Sequence, residues 1–141
     1  MIKFLPILLL MMSCNSTKVI SDNSFTIIHK SNIGGSEKPG HLLIQDNETY
    51  IKFIESLKLD ESEYANFLEV DFKTKNILVL FQGQKNSGGY AINVESVRNE
   101  DKTIFIKKNE IVPKKGEIVT TVITSPFCIV LIPKGNKLII E

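Results

Sequence analysis

The run Ile77-Leu-Val-Leu-Phe81 constrains this chain most strongly. Five apolar residues without polar alternation suit a strand covered on both faces. From Asn76 onward, turn-forming clusters cut the chain into further short runs of this kind. Tyr90 to Val97 reads as the returning strand, with Ile92 and Val94 on one face. Val97 breaks that alternation, which predicts a bulge near Ser96. Asn99 to Lys102 turns the chain into a strand over Thr103 to Lys107. Ile118 to Ile123 and Phe127 to Ile132 read as strands around Thr124-Ser-Pro126, and Lys137 to Ile140 as the last strand after a tight turn. Short strands at regular spacing predict a mainly β fold, an antiparallel sandwich or a partly open barrel.

The first half carries the one predicted helix. Tyr50, Phe53, Ile54 and Leu57 fall at i, i+3, i+4 and i+7, and Asp46 or Asn47 can cap the helix, so it is expected over about residues 47–58. Phe25 to His29 and Leu42 to Ile44 read as short strands around a loop, Ser31 to Gly40. The acidic stretch from Asp60 to Asp71 suits helical turns or a loop, with Tyr64, Phe67 and Leu68 expected to touch the core.

The amino terminus reads as an export signal. Lys3 is followed by nine uncharged residues, Phe4 to Met12, then Ser13 and Cys14. Nine residues are too few for a spanning helix, which needs ~20, and they fit the roughly 7–15 of a secretory h-region. The order Met11-Met12-Ser13-Cys14 resembles the lipobox of bacterial lipoproteins. That resemblance implies lipidation of Cys14 after removal of residues 1–13. Residues 14–23 would be a tether and residues 24–141 a single β-rich domain. Asn15 follows the cysteine where inner-membrane retention is associated with aspartate, and no acidic cluster resembling a surface-export signal follows Cys14, so the expected location is the outer membrane, periplasmic face.

Charge excludes one class of partner. The chain has 17 Lys+Arg against 16 Asp+Glu, and the leader removes Lys3, so the mature chain is formally neutral. It has no electrostatic footprint for nucleic acid. Acidic residues gather between Glu55 and Asp71 and lysines between Lys102 and Glu117, as solvated faces or as a surface that steers a partner. With Cys14 lipidated, Cys128 is the one thiol left; it lies inside an apolar run and reads as a small buried hydrophobe.

Catalytic patterns are not found. His29 and His41 sit in or beside a flexible loop without metal-ligand spacing, and incidental exposure is the reading of both. Ser87 would need Gly at 85 to form a nucleophile elbow, and Lys85 stands there. No enzyme activity, metal or cofactor is expected. Gly88-Gly89 reads as a β-hairpin turn of positive φ.

The segment Phe81-Gln-Gly-Gln-Lys-Asn-Ser-Gly-Gly-Tyr90 stands out: a strand end, a polar Gly-rich loop and an aromatic. Pro113-Lys-Lys-Gly116 and Thr124-Ser-Pro-Phe127 are punctuated in a similar way. They are either ordinary turns, with Tyr90 and Phe127 packing the ends of the core, or a presented docking edge. That edge would consist of Gln84, Asn86, Ser87, Gly88, Gly89 and Tyr90, with Pro113 and Gly116, and with Ser125, Pro126 and Phe127.

These motifs, with Asp71 to Ile92 and the strand to Pro133, resemble the C-terminal domain of the PrcB protease-complex subunit family over about residues 70–133. The resemblance implies a non-catalytic lipoprotein that binds and stabilises or assembles an exported protease or another envelope protein. Two alternatives stay open. One is a small-molecule or glycan-binding module, disfavoured by 8 % aromatic content and no Trp. The other is direct protease inhibition: the three turns look like the edge of chagasin-type inhibitors, although Ser87-Gly88-Gly89-Tyr90 stands where that family has Thr-Gly-Tyr.

Overall fold

A computed structural model of the chain describes residues 25–141. The expected leader, Cys14 and the tether lie outside the described residues. Seven strands and two helices follow in order: β1 (Thr26–Ser31), β2 (Gly40–Ile44), α1 (Asn47–Ser56), α2 (Glu61–Tyr64), β3 (Lys75–Phe81), β4 (Ala91–Glu100), β5 (Thr103–Ile111), β6 (Phe127–Pro133) and β7 (Lys137–Ile140). They form a four-stranded sheet in the order β1-β6-β3-β2 and a three-stranded sheet in the order β4-β5-β7. The fold is a mainly β sandwich of two open sheets, not a closed barrel.

Continuous apolar strands arise because β3 and β6 have cover on both sides. Leu78 and Leu80 of β3 and Cys128, Val130 and Ile132 of β6 point between the sheets. They meet Ile92, Val94 and Val97 of β4 and Ile104 and Ile106 of β5 there. Ile77, Val79, Phe127 and Ile129 point the other way, into a second core with Tyr50 and Ile54 of α1. Each fully buried aliphatic of this kind contributes about 1.5–3 kcal/mol of apolar burial. The outer face of the smaller sheet has no such cover. Arg98 lies over the Phe105 ring at 4.8 Å, and Lys107 pairs with Glu95 at 3.0 Å.

Local chemistry explains the ends of the elements. Asp46 caps α1, accepting from the Thr49 N–H at 2.8 Å, and that bond holds its carboxyl below the usual range. Asp60 caps α2 with a reciprocal bond from Glu63, a capping box over a four-residue helix. The β4–β5 hairpin turns on Asp101 and Lys102, both at positive φ (+48° and +63°), the combination a tight two-residue hairpin requires. The bulge expected near Ser96 is present as a register shift between Val94 and Ser96.

Five expectations need correction. β5 and β7 pair in parallel, with Thr103 beside Lys137 and Ile106 beside Ile140, because the turn after β6 carries the chain across to the other sheet. Tyr90 to Val97 is not a strand returning along β3: β3 and β4 lie in different sheets, so the Gly-rich segment is a sheet-crossing loop, not a hairpin. Ile118 to Ile123 is not a strand, since it finds no neighbouring strand to pair with. Tyr64 and Leu68 are exposed, leaving Phe67 to pack on this stretch. His29 is half-buried between the Phe67 and Phe127 rings, at 5.6 and 5.7 Å, whereas His41 is exposed as expected.

Candidate functional site: an interlocked loop platform

Strand directions decide which loops can meet. Ser31 pairs with Phe127, and Phe127 with Phe81, which in turn sits opposite Gly40. The 32–39, 82–90 and 112–126 loops therefore leave the sandwich at one end. Phe25, α1's first turn and the β6–β7 turn lie at the other.

Backbone hydrogen bonds tie the three loops together. The 32–39 loop is bonded to the 112–126 loop by Gly35 N–H to Ser125 C=O (3.0 Å) and Ser125 N–H to Asn32 C=O (2.8 Å). It is bonded to the 82–90 loop by Gln84 N–H to Glu37 C=O at 2.9 Å. Lys85 and Thr124 exchange both backbone bonds at 2.8 and 2.9 Å, and Gly88 N–H donates to Thr120 C=O at 2.9 Å. The Thr124 hydroxyl donates to Ser87 C=O, and the buried Gln82 amide to Ile111 C=O.

Two glycines make this closeness possible in different ways. Gly83, at φ +84°, stands where a Cβ would lie 2.9 Å from Pro39. Gly88 has no positive φ, contrary to the hairpin reading of Gly88-Gly89; a Cβ there would lie 2.4 Å from the Thr120 hydroxyl. Gly89 alone of that pair takes the left-handed backbone, φ +85°.

The sequence-predicted docking residues divide accordingly. Gln84, Asn86 and Gly89 are exposed, Ser87, Gly88 and Tyr90 half-buried, and all six sit on the platform. Lys85 lies over the Tyr90 ring at 5.4 Å. Pro113 packs beside Gly89, whereas Gly116 has open space around it. Ser125 is bonded to the 32–39 loop, Pro126 is buried with its C=O accepting from Gln82 N–H, and Phe127 is 2 % exposed. Pro126 and Phe127 thus hold the platform to the core and present no surface.

Sequence reasoning missed the residues that do present one. Ile33, Ile111, Val112, Val122 and Ile123 are each at least half exposed, and Ile118 is 99 % exposed. All six lie on or next to the 32–39 and 112–126 loops. Six exposed aliphatics thus gather at one end of the domain, where single scattered ones would need no explanation. The signal that could have found them is the β-branched run Ile118 to Ile123, which has a strand's composition and no neighbouring strand. At the same end of the sandwich a cleft of about 340 Å³ opens between the sheets, lined by Lys30, Asn32, Asn93, Ile111 and Phe127 among others.

Reactive chemistry does not gather here. Cys128 lies wholly within the inter-sheet core, where burial pushes its thiol up to about 11, so it packs as an inert hydrophobe. Among the described residues, no three His, Cys, Asp or Glu side chains converge as metal ligands.

Fold and site together define a two-sheet β domain whose interlocked loops present aliphatic side chains at one end. Residues 77–133 match the family model described as PrcB C-terminal. This region runs from β3 to β6 and contains the 82–90 and 112–126 loops; the 32–39 loop and α1 lie before it. No curated protein and no solved structure matches the chain.

Proposed function

We propose that the protein is a non-enzymatic lipoprotein of the bacterial envelope that binds an exported protease, or another envelope protein, through this loop platform, and stabilises or assembles it. The single observation behind the reading is the set of exposed aliphatics at the three-loop end, Ile118 foremost, carried on loops that backbone bonds tie together. Rigid presentation lowers the ordering cost of binding. The same loops expose the polar side chains Gln84, Asn86, Lys114 and Lys115, and protein interfaces combine apolar with polar contacts. The resemblance to a protease-complex subunit family, together with the match over residues 77–133, supports an exported protease as the partner. Lipidation of Cys14 would fix the domain at the membrane through the segment that precedes Phe25. The outer membrane, periplasmic face, is the proposed location.

The test is crosslinking in the native host, followed by capture through a carboxy-terminal tag. Wild type is compared with the Ile118→Asp/Val122→Asp double variant and with Leu68→Asp, an exposed position away from the platform. One protein captured by wild type and Leu68→Asp but lost from the double variant supports the reading. Equal capture by all three overturns it.

A further inference from the structure

The segment from Glu117 to Ile123 follows a path without turn or bend, yet belongs to neither sheet. Its last six residues, Ile-Val-Thr-Thr-Val-Ile, are all β-branched, the composition of a strand. One side of its backbone is tied to the 82–90 loop at two points: Thr120 C=O accepts from Gly88, and Thr124, just beyond the segment, exchanges two bonds with Lys85. In an extended chain, alternate residues turn their backbone groups to opposite sides. Val119, Thr121 and Ile123 therefore turn their N–H and C=O groups away from the 82–90 loop. Among the described residues these groups meet no backbone partner. These groups form an open edge on a segment fastened to the 82–90 loop at Thr120 and Thr124.

The geometry points to β-strand addition: residues 118–123 pair edge to edge with an extended, β-branched segment of a partner protein, a segment flanked by carboxylates. This deepens the docking reading above and rests on it. Main-chain bonds would supply the attachment, and alternate side chains the selectivity.

Charge selects the flank. Lys114 and Lys115 stand exposed beside the segment, and among the described residues neither forms an ion pair. The nearby Glu117 carboxylate is taken by the Lys114 backbone N–H at 2.8 Å. Acidic residues beyond the added strand would meet those ammonium groups.

Thr26 pairs with Leu131 and Ser31 with Phe127, so Phe25 lies at the end of the sandwich opposite the loops that carry this edge.

The test uses the full chain, 15N-labelled and purified in detergent. The probe is an acetylated peptide, Val-Thr-Val-Thr-Val-Asp-Asp. Controls are the same peptide ending Lys-Lys and a version N-methylated at alternate residues. Strand addition expects saturable binding of the Asp-Asp peptide and slowed amide exchange at Val119, Thr121 and Ile123. It expects at least tenfold weaker binding of both controls, and loss of binding in Thr121→Pro at unchanged Tm. Should Thr121→Pro lower Tm, the N-methylated peptide alone decides.

Binding that survives N-methylation, or no binding of any peptide at millimolar concentration, overturns the inference. So does protection of the same amides by self-association or by anionic vesicles without peptide. Partner capture in cells that persists in Thr121→Pro would leave the docking reading standing and remove strand addition alone.

Discussion

Replacing Gly83 by alanine tests whether the loops are locked by close approach rather than merely adjacent. Two separable penalties act at this position. The backbone sits at φ +84°, which strains any residue with a Cβ by about 1–2 kcal/mol. The new methyl would also lie 2.9 Å from both the Cδ and the backbone N of Pro39 and 3.3 Å from Glu37 C=O, so backbone must move. Moving it strains the Gln84 N–H to Glu37 C=O bond, worth about 0.5–1.5 kcal/mol net.

Gly116 provides the internal control, with the same φ of +84° and nothing within 4 Å of a built Cβ. Gly116→Ala should cost about 1 kcal/mol, and Gly83→Ala about 2–3 kcal/mol. At the entropy of unfolding expected for a domain of this size, 1 kcal/mol shifts Tm by about 4 °C. The expected falls are thus ~4 °C for Gly116→Ala and ~8–12 °C for Gly83→Ala, read by circular dichroism. Amide exchange should also speed up at Gln84 in the Gly83 variant and stay unchanged there in the Gly116 variant. Equal Tm losses in the two variants would refute the argument, because the contact with Pro39 would then count for nothing.

Three further outcomes follow from the same structure. Burial pushes the Tyr50 hydroxyl up to about 12 and the Cys128 thiol up to about 11 from their ordinary values of 10 and 9. Both folded values exceed the unfolded ones, so the unfolded state loses protons first and stability falls as pH rises from about 9 to 12. Tyr50→Phe should flatten the upper part of that fall in urea titrations; an unchanged slope between pH 10 and 12 would contradict the assignment. Lys102→Gly relieves a left-handed lysine and should stabilise by about 0.5–1 kcal/mol after the added freedom of the unfolded chain is subtracted, and a lower Tm would count against the two-residue turn. Leu78→Ala should destabilise by about 2–5 kcal/mol, because Leu78 is wholly buried between the sheets; a loss under 1 kcal/mol would mean that the two sheets pack loosely there.

What the sequence showed and what it hid have physical causes. β3 and α1 were legible because each is declared by its own side chains: an unbroken apolar run for the first, apolar positions at i, i+3, i+4 and i+7 for the second. The bulge near Ser96 was legible because a bulge shifts the inside–outside alternation locally. Pairing across the fold was not, since nothing local distinguishes a β7 parallel to β5 from an antiparallel one. Ile118 to Ile123 has every residue a strand prefers, but propensity cannot supply a neighbour. In the sequence Gly88 looks like a backbone need, but its cause is Thr120, thirty-two residues away. The platform loops were thus visible as punctuation, and their mutual bonds were not.

The central claim is that the three-loop end is the face that meets a partner. Hydrogen–deuterium exchange on the full chain, alone and with the protein captured from its host, tests this most directly. The account predicts slowed exchange in the 32–39, 82–90 and 112–126 loops, strongest from Ile118 to Ile123, with α1 and α2 unchanged. Protection confined to the α1–α2 face, or to the free edge of β4 with the loops still exchanging freely, would contradict it.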